Sequence, residues 1–287
     1  MILEYSITYK AENTYDDWVD NAHWQFLIIP QQNSTQEFIG IDFKNSINAD
    51  NEYSVNGYGF QTIRVHPKQK FKEISFEANF KLIKKEVNPF DFEAELDVSK
   101  AYSRIQELDF KVDFEPFLRK THLTTLPEKS KEIFVFDKTI SIFENLQALN
   151  QWTFIHIYFK TDVTEVNTTL NEIIENRHGV CQDFAHLFCA LARQNGIPAR
   201  YVSGYLHQGN GYFGDSQMHA WAEVYIPKLG WVGFDPTNNL MANTNHIKIA
   251  HGKDYKDCSP LIGVVYAKGE NKTTHSVKVF GQQQQQQ

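Results

Sequence analysis

The chain has 287 residues, 41% of them hydrophobic and 22% charged, the balance of a soluble globular protein with room for one large domain or two ordinary ones. A net charge of −7 lacks the basic excess of a dedicated nucleic-acid binder. Aromatic residues reach 14%, which favours strands built around a substantial core.

The N-terminus, MILEYSITYK, has no basic segment followed by an apolar one, so no secretory signal is visible. No apolar run approaches the ~18 residues of a membrane span. Cys181, Cys189 and Cys258 make no disulfide framework. The expectation is a cytoplasmic protein with no membrane and no nucleic-acid partner, its oligomeric state open.

Residues 1–125 read as a β-rich domain. EYSITYKAEN, HWQFLIIPQ, QEFIGIDF, FQTIRVHP, ISFEANFKLIKK and FEAELDVS are short runs with much alternation, separated by Asn, Asp, Gly and Pro clusters. Such spacing suggests a β-sandwich or barrel. THLTTLPEKSKE, 121–132, reads as a linker.

Beyond it the texture changes. ISIFENLQALNQWTFIHIYF, 140–159, suits a helix passing into a strand, and VNTTLNEIIENR, 166–177, a second helix. A third begins near Cys181, with Phe184, Leu187, Phe188 and Leu191 on one face. It ends at Asn195-Gly196, and Pro198 stops its continuation. RYVSGYL, HAWAEVYI, GWVGFDP and, near the end, VKVF read as strands. The fold class is α+β: a β-sandwich or barrel (1–125), then a second domain (126–281) of helices followed by an antiparallel sheet. The Gln-rich tail, 282–287, reads as disordered.

Cys181 stands in HGVCQDFAHLF at the start of a helix. There the dipole and free backbone N–H groups favour thiolate over thiol. Gly179 allows a close turn just before it. Cys189, two turns on, suits a small core residue.

His219 opens HAWAEVYI, and alternation sets His219, Trp221, Glu223 and Tyr225 on one face. If the next hairpin loop is Pro227-Lys228-Leu229, Ile226 pairs with Gly230. Asp235 then lies diagonal to His219 on the same face, roughly 7–8 Å away between Cα atoms. A two-residue loop would turn Asp235 to the other face, so a Cys181–His219–Asp235 triad requires the three-residue loop or a bulge. In such a triad Cys181 attacks an acyl carbon, His219 carries the proton, and Asp235 fixes and stabilises the imidazole. The backbone N–H of Cys181 is a first oxyanion donor; Gln182 and Trp152 are candidates for the second.

Other readings compete at the neighbouring positions. Asp183 is favoured by the helix dipole whatever the function, and His186 suits a satisfied helix histidine. Asn238 and Asn239 are alternative orienters of His219. Trp221 and Trp231 suit packing or a cleft wall, and Cys258 suits loop packing. Neither C-x-x-C nor H-E-x-x-H spacing occurs, so no metal and no cofactor is expected.

GVCQDFAHLFCALARQNGIPARYVSGY, HAWAEVYIPKLGWVGFDPT and their order resemble the bacterial transglutaminase-like superfamily of cysteine proteins, which includes cysteine proteases. The likeness is close over about 165–240. HGKDYKDCSPLIGVV, 251–265, resembles a downstream segment of bacterial members, and the first 125 residues resemble their preceding β domain. The resemblance implies a papain-related catalytic fold, with Cys181, His219 and Asp235 at the motif positions for nucleophile, base and orienter. It also implies that Asp254 and Tyr255 lie near the site. The expected activity is acyl transfer through a thioester, with hydrolysis of a peptide, protein or small amide as the first reading. Transglutaminase crosslinking is the second, and an interaction module with a silent site the third. No EF-hand-like calcium loop is present. The Gly-rich LHQGNGYFGDSQM, 206–218, leads into His219 and reads as a flap over the cleft or as a surface turn.

Overall fold

The computed structural model describes residues 2–92, 97–207, 213 and 217–283. The first strand, β1 (Ile2–Val19), alternates strictly, turning Tyr5, Ile7, Tyr9, Ala11 and Asn13 inward. β2 (Asn21–Phe26), β3 (Gln36–Asn45), β4 (Asp50–Val55), β5 (Gln61–His66) and β6 (Phe71–Lys85) follow. In β6 the same alternation buries Ile74, Phe76, Ala78, Phe80 and Leu82, and carries Lys84 to an inward position.

These strands form two antiparallel sheets that pack face to face through rings such as Trp24 and Phe26 against Phe76, with centroids 5.3 and 4.7 Å apart. The expected β-sandwich is present, but the 125/126 division does not describe the packing. β14 (Leu261–Tyr266) returns to pair with β2, and β15 (Asn271–Gln283) to pair with β1. Both sandwich sheets therefore take an edge strand from the chain's last 25 residues or so. Gln282 and Gln283, placed in the tail by composition, complete β15; 284–287 lie outside the described residues.

Three short helices, α1 (Val98–Arg104), α2 (Leu108–Asp113) and α3 (Glu115–Leu118), lie where the sequence suggested the end of a β domain. The expected strand FEAELDVS falls partly outside the described residues, and its last two residues open α1. Asp97 caps that helix by accepting the Lys100 N–H at 3.0 Å. Ala101, Ile105 and Phe110 join the core of the second unit. The expected linker is packed rather than loose, since Leu123 and Leu126 are buried and Thr124 accepts from the buried Arg193 guanidinium.

The second unit begins with α4 (Ile142–His156), whose Ser141 and Glu144 form a reciprocal capping box. It passes through β7 (Tyr158–Phe159), α5 (Leu170–Asn176) and β8 (His178–Gly179) to α6 (Cys181–Gln194). An antiparallel sheet in the order β12-β11-β10-β9-β13 follows. Its strands are β9 (Ala199–Leu206), β10 (His219–Ile226), β11 (Gly230–Asp235), β12 (Leu240–Met241) and β13 (His246–Gly252). Phe184, Leu187, Phe188 and Leu191 of α6 bury against Ala222, Val224 and Phe234 of this sheet.

Tyr205, Ile247 and Ile249, from the same sheet, belong to the sandwich core instead. Polar ties cross the same boundary. The Tyr205 hydroxyl donates to the Ile28 carbonyl at 2.7 Å, and Gln36 both donates to and accepts from the Lys248 backbone. Among the described residues, no helix is long and apolar enough to cross a membrane.

Candidate active site

Cys181 is the first residue of α6 and, unlike Cys189 and Cys258, is not fully buried. Burial pushes the Cys189 thiol up to about 11 and that of Cys258 well above the ordinary value. One turn along, the Asp183 carboxylate reaches back to accept the Val180 N–H and the Thr164 hydroxyl, each at 2.8 Å. It thereby fixes both the helix start and the preceding loop. Burial nonetheless raises its carboxyl to about 6, against those two hydrogen bonds and His178. A Cβ at residue 179 would sit 2.7 Å from the Asp183 side chain, so this turn takes glycine.

The β10–β11 hairpin has the three-residue loop that the triad geometry demands, with Ile226 opposite Gly230. Lys228 and Gly230 adopt positive φ, 68° and 82°, to close it. Asp235 consequently shares a face with His219, and its Oδ2 lies 2.8 Å from His219 Nε2. Both side chains are buried. Burial alone would lower the His219 imidazole; Asp235 and Cys181 outweigh it and raise it to about 10. Burial would raise the Asp235 carboxyl, but His219 and His246 hold it well below the usual carboxylate range. The other ring nitrogen, His219 Nδ1, is buried without a hydrogen-bond partner among the described residues.

Two residues that sequence reasoning did not assign to Asp235 complete its surroundings. Asn238 Nδ2 donates to Oδ2 at 2.8 Å, so this residue braces the carboxylate rather than replacing it beside the imidazole. His246, which carried no local motif, places its Nε2 3.1 Å from the same oxygen. Oδ1 accepts the Thr237 N–H at 3.1 Å. His219, Asp235 and His246 offer ligand atoms within 4.8 Å of one another, but these atoms already bond to each other around Oδ2. The set reads as a hydrogen-bonded cluster, and a metal would have to break it.

A cavity of about 590 Å³ opens on Cys181, Gln182 and His219. Phe159, Tyr201, Tyr255 and Met218 form much of its wall, and His275 lines it from β15, a sandwich strand. Gln182 and Tyr255 line this same cavity. Trp152 does not: it stacks on His156 with centroids 4.4 Å apart and packs against Phe134 in the helical core, because its face of α4 turns that way. Trp221 is no cavity wall either. It is buried between His219 and His246, at ring distances of 6.2 and 5.3 Å, and supports both imidazoles.

His186 is buried, with burial and then Arg193 lowering its imidazole to about 3; its Nε2 accepts the Tyr255 N–H at 3.0 Å. Asp254 caps the turn at Tyr255 by accepting the Lys256 N–H. Asn239 accepts from Asn150, away from His219. Trp231 packs under the Arg200 guanidinium at 3.9 Å. Of the expected flap, 208–212 and 214–216 lie outside the described residues. Phe213 stacks on Phe159 at 4.6 Å and donates its N–H to Asn238 Oδ1.

Residues 131–236 match the transglutaminase-like superfamily. An uncharacterized Mycobacterium tuberculosis protein is 37% identical over 137 residues, which cover 45% of this chain and 44% of that protein. The chain thus matches under half the length of such relatives. A Pseudomonas aeruginosa protein-glutamine gamma-glutamyltransferase is 33% identical over 98 residues, covering 32% of this chain and 14% of the enzyme. The crystal structure of a "Putative Cysteine Protease" from Cytophaga hutchinsonii superposes with a TM-score of 0.77 at 21% identity, covering 100% of this chain and 93% of that one. The shared fold therefore includes the β-sandwich.

Proposed function

We propose, from the match of residues 131–236 to the transglutaminase-like superfamily, that the chain is a cysteine-type acyl-transfer enzyme that hydrolyses a peptide or related amide bond. The observation that carries this reading is the buried His219–Asp235 pair, whose unpartnered Nδ1 edge lies by the Cys181 cavity.

In the proposed reaction Cys181 Sγ passes its proton to His219 Nδ1 and attacks the acyl carbon as thiolate. Asp235 holds the resulting imidazolium through Nε2. The Cys181 N–H, which has no acceptor one turn earlier in the helix, points at the developing oxyanion. When the tetrahedral species collapses, the amine leaves with the proton from His219 and the acyl group remains on sulfur as a thioester. Water then attacks that thioester, giving its proton to His219. The proton returns to sulfur as the acid departs.

A primary amine in place of water would make the same thioester a crosslinking intermediate. The Pseudomonas aeruginosa glutamyltransferase relative favours that second reading. The cavity wall carries aromatic and hydroxyl-bearing side chains together with Asp162 and Glu165, which suits an amide-bearing chain better than an anionic small molecule.

The test begins with iodoacetamide near neutral pH and peptide mapping. Cys181 is expected to be labelled rapidly, Cys189 and Cys258 hardly at all, and His219→Ala to abolish the difference. Equal, slow labelling of all three cysteines would leave the domain as a silent interaction module. Release of ammonia or amine from peptide amides, with and without an added primary amine, then separates hydrolysis from transfer.

A further inference from the structure

We infer that His246 is a positioning residue for the catalytic pair: it donates its Nε2–H to Asp235 Oδ2 and thereby reserves the carboxylate's charge for His219. This rests on the acyl-transfer reading above.

Two imidazoles share one carboxylate oxygen, at 2.8 Å from His219 and 3.1 Å from His246. What separates them is the partner at the other ring nitrogen. His246 Nδ1 lies 3.1 Å from the backbone N–H of Asn243, a group that can only donate, and 3.3 Å from Asn243 Oδ1, an acceptor that already takes the Asn245 N–H at 2.9 Å. The shorter contact is the donor's, and Oδ1 is engaged by Asn245, so Nδ1 accepts and the ring's single proton is assigned to Nε2, facing Asp235. His219 Nδ1 has no such donor among the described residues; it lies on the thiol side, where it can take a proton.

The charges around His246 act in the same direction. Burial keeps its imidazole below the ordinary value, and His219 and Lys84 add to that, against the pull of Asp235. The negative charge of Asp235 is thus matched by His219 when His219 becomes imidazolium, while His246 contributes only a neutral donor.

Asp235 Oδ2 is engaged by His219, His246 and Asn238, and Oδ1 accepts the Thr237 N–H. A carboxylate anchored at both oxygens resists rotation away from Nε2 during the proton transfers. The ring of His246 is itself fixed. Trp221 packs edge-on against it at 5.3 Å, and Lys84 Nζ, reaching in from β6, donates to the His246 main-chain carbonyl. The sandwich thereby holds the turn that holds Asp235.

The test compares His246→Ala and His246→Gln in the full chain, with folding checked by circular dichroism. Gln is the conservative variant because its terminal amide can supply a donor near the position of Nε2–H. For His246→Ala, kcat is expected to fall roughly ten- to a hundredfold, the scale of a small misplacement of a reacting group, with KM changed less than about twofold. The alkylation rate of Cys181 should also lose its basic limb at a lower pH, since His219 is no longer held against Asp235. His246→Gln should recover most of both.

Nitrogen-15 spectra of the imidazoles give a reading independent of turnover, and wild-type His246 should remain the Nε2–H tautomer between about pH 5 and 9. A wild-type kcat and alkylation profile in His246→Ala, or an Nδ1–H tautomer, overturns the inference alone. Failure of selective Cys181 labelling in the wild type overturns the acyl-transfer reading and this inference with it.

Discussion

Asp235 and His219 show how two buried ionisable groups can each be stabilised by the other. His219 is raised from 6.5 to about 10, so its contribution to stability is fully present below 6.5 and is lost as pH rises through about 10. Asp235 is depressed, so its contribution is present above the ordinary carboxylate range and is lost on acidification. Between these limits the pair should be at its most stable. Asp235→Asn is expected to flatten the alkaline part of the stability–pH curve, measured as Tm, and to reduce kcat on the order of 10³- to 10⁴-fold by leaving the imidazole in the wrong tautomer. An unchanged alkaline slope would show that Asp235 does not hold the His219 proton. The positions of this pair were legible because each sits in a short motif and because strand alternation and loop length fix their relative face. His246 was not legible in the same way. It begins a strand whose neighbour, β9, lies 40 residues earlier in the chain, and its meaning depends on a contact across the sheet to the end of β11. Asn238 was visible as an amide near Asp235, but sequence could not say whether it faced the imidazole or the carboxylate.

Elements carry the next constraint, through close backbone approach. Gly204 of β9 lies opposite His219, and a Cβ there would meet the Ile247 carbonyl at 2.3 Å and the Trp221 ring at 2.5 Å. Neither can yield easily, because the carbonyl belongs to the paired strand β13 and the indole supports both imidazoles. Gly204→Ala is expected to destabilise the fold by about 1–3 kcal/mol in urea unfolding, the range of core overpacking, and to lower kcat further than that loss explains. A variant with wild-type stability would mean that the β9–β13 spacing is looser than the strands show. Helices α4 and α6 were readable from the sequence because their periodicity and termini agree: Ser141 and Glu144 start one, and Gly196, with φ of 78°, follows the end of the other. Helices α1 to α3 were not. They are each seven residues or fewer, too short to show a helical period, and Asp97 was the clearest local signal of the first.

At the scale of the whole molecule, the sequence suggested two consecutive units, whereas the packing joins them three times. β14 and β15 close the sandwich from the far end of the chain, α1 to α3 cover the helical core from the near side, and Tyr205, Ile247 and Ile249 put one face of the catalytic sheet into the sandwich core. Local pattern cannot reveal such returns, since a strand of a given alternation pairs equally well, on paper, with either sheet. The consequence concerns a fragment spanning 126–287. It would expose Tyr205, Ile247 and Ile249, each worth roughly 1.5–3 kcal/mol when buried, and would lose Ala101, Ile105 and Phe110 from its helical core. It would also carry the 13-residue β15 without its partner β1, an open edge that invites pairing between chains. Such losses are comparable to the whole margin of about 5–15 kcal/mol by which domains are ordinarily stable. The fragment is therefore expected to aggregate or to unfold without a cooperative transition, and to lose the selective alkylation of Cys181 that the full chain shows. Lys84 adds a finer readout in the intact protein, because it lies in the sandwich yet grips the turn at His246. Burial lowers its ammonium to about 7, against the pull of Glu223. Above that pH the unfolded chain binds the proton that the folded one has released, so its burial penalty should shrink as pH rises. The Tm difference, wild type minus Lys84→Met, should accordingly increase between pH 7 and about 10, the range bounded by the folded and ordinary lysine values. A fragment 126–287 that folds cooperatively and labels at Cys181 like the full chain, or a difference that stays constant with pH, would show the sandwich to be an appendage rather than part of the scaffold holding the site.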